Sequence, residues 1–341
     1  MVKNRLSVLL FAAIFMAIMV FSLSSCSKAP EVDADPSGLG LETFQGYTAV
    51  IPEGESEQGS SFLVCGTQGR LDRIFADGTL ENIPLPVGEK NLTSILKGDG
   101  IILVGGESAL VYSQDGKEFV AAKGAGKEYI LGMTQFKGSY YACTYGGNIL
   151  SSEDGMSWAV AEKLTDKPLI GIAAEDEYIM AITNDTDIFK STEGTDWALQ
   201  NYNELYKGVA EPLSFIDLLN PENSFIVLGQ SEEAPDKPVV MFSYDAGETW
   251  RDSSLVQINK QPSEEFYPIV IHSVRLFEGE MIAACDGGRI LTFSDCPTCS
   301  IISEAAGGAD LRCIEVYGDA LLVAGSDFQY EILKTSEVQT E

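Results

Sequence analysis

Few residues in this chain have the types and spacing that chemistry requires. His272 is the only histidine among 341 residues. Ser–His–Asp catalysis would have to pass through it. It stands in I-V-I-H-S-V, where a strand histidine satisfied by hydrogen bonds is the plainer reading. Cys296 and Cys299 form C-P-T-C. A redox pair needs a helix N-terminus to lower one thiol pKa, and zinc needs a second ligand pair. The sequence offers neither, so a structural disulfide across a hairpin turn is expected in an oxidising compartment. Arginine is scarce: after Arg5 come only Arg70, Arg73, Arg251, Arg275, Arg289 and Arg312. No phosphate loop, dinucleotide fingerprint or calcium loop occurs. No cofactor or metal is expected.

The elements that would position these residues repeat. The end of one apolar strand falls at Gly66, Gly105, Thr144, Thr183, Gly229, Asp286 and Gly325. The intervals are 39, 39, 39, 46, 57 and 39 residues, a base period with two insertions. Each unit carries four strand-like runs. In the second these are residues 91–96, 101–105, 109–113 and 118–122, separated by Gly-Asp-Gly and Asp-Gly turns. Seven units of four antiparallel strands, with no helical periodicity, predict an all-β fold, a seven-bladed β-propeller. The last unit has runs at 311–316, 321–325 and 330–334 and lacks a fourth. Residues 41–45 are expected to supply it and close the ring. Cys65, Cys143 and Cys285 share one position of the repeated strand and read as small buried residues, as does Cys313.

A turn motif recurs with the period. It is fullest in M-F-S-Y-D-A-G-E-T-W, with Ser243, Asp245, Gly247 and Trp250. Shorter forms hold Ser113 and Asp115; Ser152, Asp154 and Trp158; and Ser191 and Trp197, the last with Glu193 in place of Asp. An Asp in a tight turn accepts backbone hydrogen bonds, and the following Gly supplies positive φ. These turns resemble the Asp-box, or bacterial neuraminidase repeat, of many β-propellers. The resemblance covers roughly residues 62–334 and includes sialidase-like, sortilin-like and photosystem II assembly factor-like propellers. It implies a structural role for the boxes, away from the functional face, so no catalytic role falls on Asp115, Asp154 or Asp245.

The N-terminus reads as a targeting segment. Lys3 and Arg5 precede an apolar run over 6–23, and L-S-S-C resembles a bacterial lipobox. The resemblance implies cleavage before Cys26 and its lipidation. The expected organisation is a lipoprotein signal peptide at 1–25, a lipidated Cys and flexible tether at 26–41, and the propeller at 42–341. The location is the bacterial cell envelope, lipid-anchored and extracytoplasmic. A formal charge of −29 argues against nucleic acid. A monomer is expected.

Loops between the second and third strands, and between blades, lie opposite the Asp-box turns. Both insertions fall there, in three segments: 201–212 with Tyr202 and Tyr206, 230–238 with Glu232 and Glu233, and 252–267 with Arg251 just before it and Phe266 and Tyr267 within. With Arg70 and Arg289 they form the candidate ligand face. The expected function is a non-catalytic, membrane-anchored propeller that binds a protein or glycan in a scaffold or assembly role. A sialidase-like glycoside hydrolase or lyase is the alternative. That family uses an Arg triad, a Tyr/Glu pair and an acid Asp, and an Arg-Ile-Pro signature absent here. A small-ligand sensor using the central channel is the second alternative.

Overall fold

The computed structural model describes residues 43–56, 58–200, 213–219, 224–231, 238–254, 256–257, 270–293 and 298–338. They fall in one compact unit, Pro36–Glu341. The calls on Cys26, on segments 1–25 and 26–41 and on Cys296 lie outside them. So does the side chain of Cys299.

The second strands of the blades are short apolar runs, most of them followed by tight turns. Second strands such as Gly59–Gly66, Ile101–Gly106 and Ile179–Thr183 are almost wholly buried, since a neighbouring blade covers each face. Outer strands such as Val120–Ala121 and Ala159–Lys163 are exposed and short. Short edges of this kind resist pairing with other chains.

Seven antiparallel sheets follow one another along the chain. Five have four strands. The sixth gains a fifth strand, Val256–Gln257, which runs parallel to Thr298–Glu304 at its outer edge. The innermost strands are Tyr47–Ser56, Leu92–Gly98, Ile130–Phe136, Leu169–Ala174, Leu213–Leu219, Ile271–Phe277 and Leu311–Tyr317. Each contacts the next, and the seventh contacts the first, so the ring is closed. Seven hydrophobic clusters fill the seven blade interfaces. Cys65, Cys143 and Cys285 are fully buried within them, and Cys313 is 2% exposed.

Closure differs from the sequence expectation. The seventh sheet has three strands, ending with Tyr330–Lys334, and among the described residues nothing pairs as its fourth. The residues before Tyr47 instead reach the loop ahead of that strand. Gly46 bridges Ser326, and the Asp327 N–H donates to the Gln45 carbonyl at 2.8 Å. The approach is so close that a Cβ on Gly46 would lie 2.3 Å from the Gly325 carbonyl oxygen. The physical reason is that Tyr47–Ser56 is already the innermost strand of the first blade, so the chain just ahead of it sits at the hub and not at the rim.

The serine-aspartate turns join third to fourth strands and pack on the preceding blade. Ser152 Oγ donates to Asp154 Oδ1 at 3.0 Å and accepts from the Gly155 N–H at 2.9 Å. Asp154 Oδ1 accepts from the N–H groups of Met156 and Ser157, both at 2.8 Å. Trp158 Nε1 donates to the Gly155 carbonyl at 2.8 Å, and its ring is 5% exposed against Ile101 and Leu103 of the second blade. Asp115 makes the same turn, and the backbone N–H groups of Glu118 and Lys117 hold its carboxyl at about 2. In the fourth blade Ser191 is retained, but Glu193 turns outward to Lys137. The Ser243 turn is one residue longer and places Ala246 at φ 58°.

Candidate functional site

The innermost strands enclose a channel of about 480 Å³. Its lining is mostly the backbone and small or aliphatic side chains of those strands. Two guanidinium groups and the single histidine interrupt it: Arg275, Arg312 and His272.

One local irregularity recurs in all seven blades. The register between first and second strands slips by one residue near the start of the first strand. The bulged residues are Thr48, Thr93, Leu131, Ile170, Ile216, His272 and Arg312. A bulge leaves its residue out of the ladder, and the six whose burial is described are half-buried while the residue before each is buried. They lie at the end of the channel opposite the serine-aspartate turns. Thr48 Oγ1 donates to the Leu92 carbonyl at 2.7 Å, and Thr93 Oγ1 to that of Ile130 at 2.5 Å, linking blades one, two and three. The blades thus present a polar arc (His272, Arg312, Thr48, Thr93) followed by an aliphatic one (Leu131, Ile170 and the register position of Ile216).

The polar arc is organised around His272. Its Nε2 lies 2.5 Å from Asp286 Oδ1, and its Nδ1 lies 3.0 Å from Arg312 Nη1. A guanidinium only donates, so Nδ1 accepts and the proton resides on Nε2. His272 is therefore a bridge whose two nitrogens are both engaged, as a strand histidine satisfied by hydrogen bonds should be. Burial pushes the Asp286 carboxyl upward, but the His272 hydrogen bond and the fields of Arg312 and Arg289 bring it below its ordinary range. Burial lowers the Arg312 pKa, with Asp286 and Asp310 acting against that. The Phe44 ring covers the Arg312 guanidinium at 4.7 Å.

Arg70 and Arg289, both named from sequence, lie at this same end, on the first and sixth blades flanking Arg312. Arg70 Nε pairs with the buried Asp72 at 2.5 Å, and its guanidinium sits 4.6 Å over Phe328 of the seventh blade. Tyr47 also donates to Asp72, at 2.5 Å. Arg251 is not brought to them. It opens the outermost strand of the fifth blade directly after the Trp250 turn, at the other end. Tyr202, Tyr206, Glu232, Glu233, Phe266 and Tyr267 lie outside the described residues. Sequence reasoning passed over Arg312, Asp286 and Phe44. The available signal was the register itself: His272 and Arg312 occupy the position of Thr48 and Thr93 in the repeat.

No family model matches the sequence, and no curated protein matches it. Solved structures do. The structure titled YCF48 bound to D1 peptide is 13% identical with a TM-score of 0.63, covering 86% of this chain and 92% of that one. YCF48 from Cyanidioschyzon merolae is 14% identical with a TM-score of 0.60, covering 85% and 95%. Virginiamycin B lyase from Staphylococcus aureus is 12% identical with a TM-score of 0.63, covering 84% and 94%. At such identities the likeness is one of fold, and the fold is the β-propeller.

Proposed function

We propose that this chain is a non-catalytic lipoprotein of the bacterial cell envelope, anchored through Cys26, whose propeller binds a protein partner at the channel-mouth end. The single observation that carries the binding reading is the convergence of Arg289, Arg312 and Arg70 on consecutive blades, interleaved with Phe44 and Phe328. Arginine and aromatic side chains are the groups that most often anchor a protein interface. The opposite end offers turns whose polar atoms bond to one another. Two further facts support the reading. One propeller of similar fold has been solved with a peptide bound. The serine-aspartate turns have the hydrogen bonding an Asp-box needs for a structural role, which favours placing the chain among Asp-box propellers and its ligand elsewhere.

Photocrosslinking tests the face. A photoreactive side chain at Phe328 or Arg289 is expected to give a discrete covalent adduct in cells, and one at Asp154 none. Adducts from Asp154 alone would reverse the assignment. Membrane fractionation of Cys26→Ser, with mass spectrometry of the mature N-terminus, tests the anchor. An unmodified Cys26 in the mature wild-type chain, or an intact segment 6–23, would refute it.

A further inference from the structure

The arginines described in the structure are not in equal circumstances. Arg73 grips Glu53 with two nitrogens at 2.6 and 2.7 Å, and also reaches Glu81 and the Gly116 carbonyl. Arg275 donates to Glu315 at 2.8 Å and to the Val274 carbonyl. Arg70 holds Asp72. Arg312 forms no ion pair with any carboxylate among the described residues. Of its five N–H donors, one meets His272 Nδ1. Its Nε is buried and has no acceptor among the described residues. A buried charged donor without an acceptor is a costly arrangement that few native structures keep without a reason.

The neighbouring acids do not relieve it. Asp286 Oδ1 is engaged by His272. Asp310 Oδ1 accepts from the Gly287 N–H at 2.9 Å. Both lend Arg312 a favourable field without touching it. His272, fixed by Asp286, and the Phe44 ring hold the guanidinium on the channel wall. Nε is closed off inside the wall, so the accessible donors are those of the terminal Nη edge, on a residue that lines the cavity.

We propose that the channel mouth binds a carboxylate carried on an apolar body. The carboxylate accepts from the terminal Nη edge of Arg312, a planar pair of donors that matches a planar two-oxygen acceptor, while Nε stays closed off inside the wall. The apolar body lies in the channel against Leu131 and the aliphatic lining that includes Ile51, Ile95 and Ile172. A monoanion suits the site better than a phosphate dianion, because Asp286 and Asp310 flank it and the whole chain carries −29. The channel volume, about 480 Å³, lies within the ~300–1,000 Å³ of small-molecule sites. The inference concerns the channel and stands whether or not the face also recruits a protein.

Calorimetric titration of the full chain tests it with three probes of one length: hexanoate, hexanol and hexylammonium. Hexanoate should bind, and the other two at least about tenfold more weakly, the equivalent of one charge-assisted hydrogen bond. Arg312→Gln should weaken hexanoate by about tenfold or more and leave hexanol unchanged. A short apolar peptide, as free acid and as C-terminal amide, separates the two sources of such a group. Binding of the peptide acid alone assigns the site to a chain terminus and upholds the proposal. Equal binding of hexanoate and hexanol, an Arg312→Gln affinity equal to wild type, or no binding by either acid would overturn it. If Arg312→Gln fails to fold, the three-probe series on the wild-type chain decides by itself.

Discussion

The two ends of this ring handle their polar atoms in opposite ways. At the turn end, Ser113, Ser152 and Ser243 each bond to the Asp two residues on, and the Asp bonds to the backbone that follows. At the mouth, one residue per blade stands outside the ladder, and its type changes from blade to blade. Arg312 there keeps a buried donor without an acceptor among the described residues. The turn residues are consumed by the fold; at the mouth Thr48, Thr93 and His272 are engaged as well, and the terminal edge of Arg312 is what remains available to something outside it.

The contrast is broken most forcefully by emptying a turn. Trp158→Ala should cost ~3–5 kcal/mol in chemical denaturation, because a buried ring and its bond to Gly155 are lost together. Trp250→Ala should cost a similar amount, but Trp250 Nε1 has no acceptor among the described residues. Trp250→Phe should therefore be milder than Trp158→Phe by about 1 kcal/mol, the value of one hydrogen bond. Equal losses would mean the indole N–H is irrelevant in both.

Arginine substitutions sharpen the comparison next. Arg73→Gln strands Glu53 and should destabilise by about 2–3 kcal/mol. Arg312→Gln removes a charge with no carboxylate partner among the described residues and gives up the bond to His272 Nδ1, so it should cost about 1 kcal/mol, less than Arg73→Gln. Equal effects on the melting transition would show that Arg312 is structural.

Acid titration probes the turns themselves. The carboxyls of Asp115, Asp154 and Asp245 are all depressed in the folded state. Their contribution is thus present above the unfolded carboxylate value and is lost as pH falls through the folded values, about 2 for Asp115. Asp245→Ala should cost about 1–3 kcal/mol near neutral pH. Replacing all three by Asn should flatten the loss of stability between about pH 4 and pH 2. An unchanged acid limb would deny the turns their role.

The smallest effect expected is at Glu193. Glu193→Asp restores the turn carboxylate but gives up the exposed pair with Lys137. The net change should be within about 0.5 kcal/mol. A larger loss would make the Lys137 pair, and not the turn, the tie between those blades.

Much of the fold was legible because burial and turn chemistry are local. The strand ends at Gly66, Thr144, Thr183 and Gly325 fall where the repeat puts them. So do the buried Cys65, Cys143 and Cys285. Ring closure was misplaced because the strand at Tyr47–Ser56 contains Pro52 and Gly54 and lacks a clear alternating pattern. The pairing of Gly46 with Ser326 is set by the return of the chain across the whole ring. The mouth was only partly legible. Arg70 and Arg289 announce themselves as scarce cations. The juxtaposition of Phe44, His272 and Arg312 joins three distant segments, and no local pattern encodes it.

The seven bulges give this propeller a separation between what is fixed and what can be rewritten. A residue outside the ladder does not answer to cross-strand pairing. Seven such positions form a ring, in which Thr48 and Thr93 are tied to the next blade and His272 and Arg312 to each other by hydrogen bonds. Threonine, leucine and arginine already occupy equivalent places here on the same backbone. An engineer can vary them with a focused library at Thr48, Thr93, Leu131, Ile170, Ile216, His272 and Arg312.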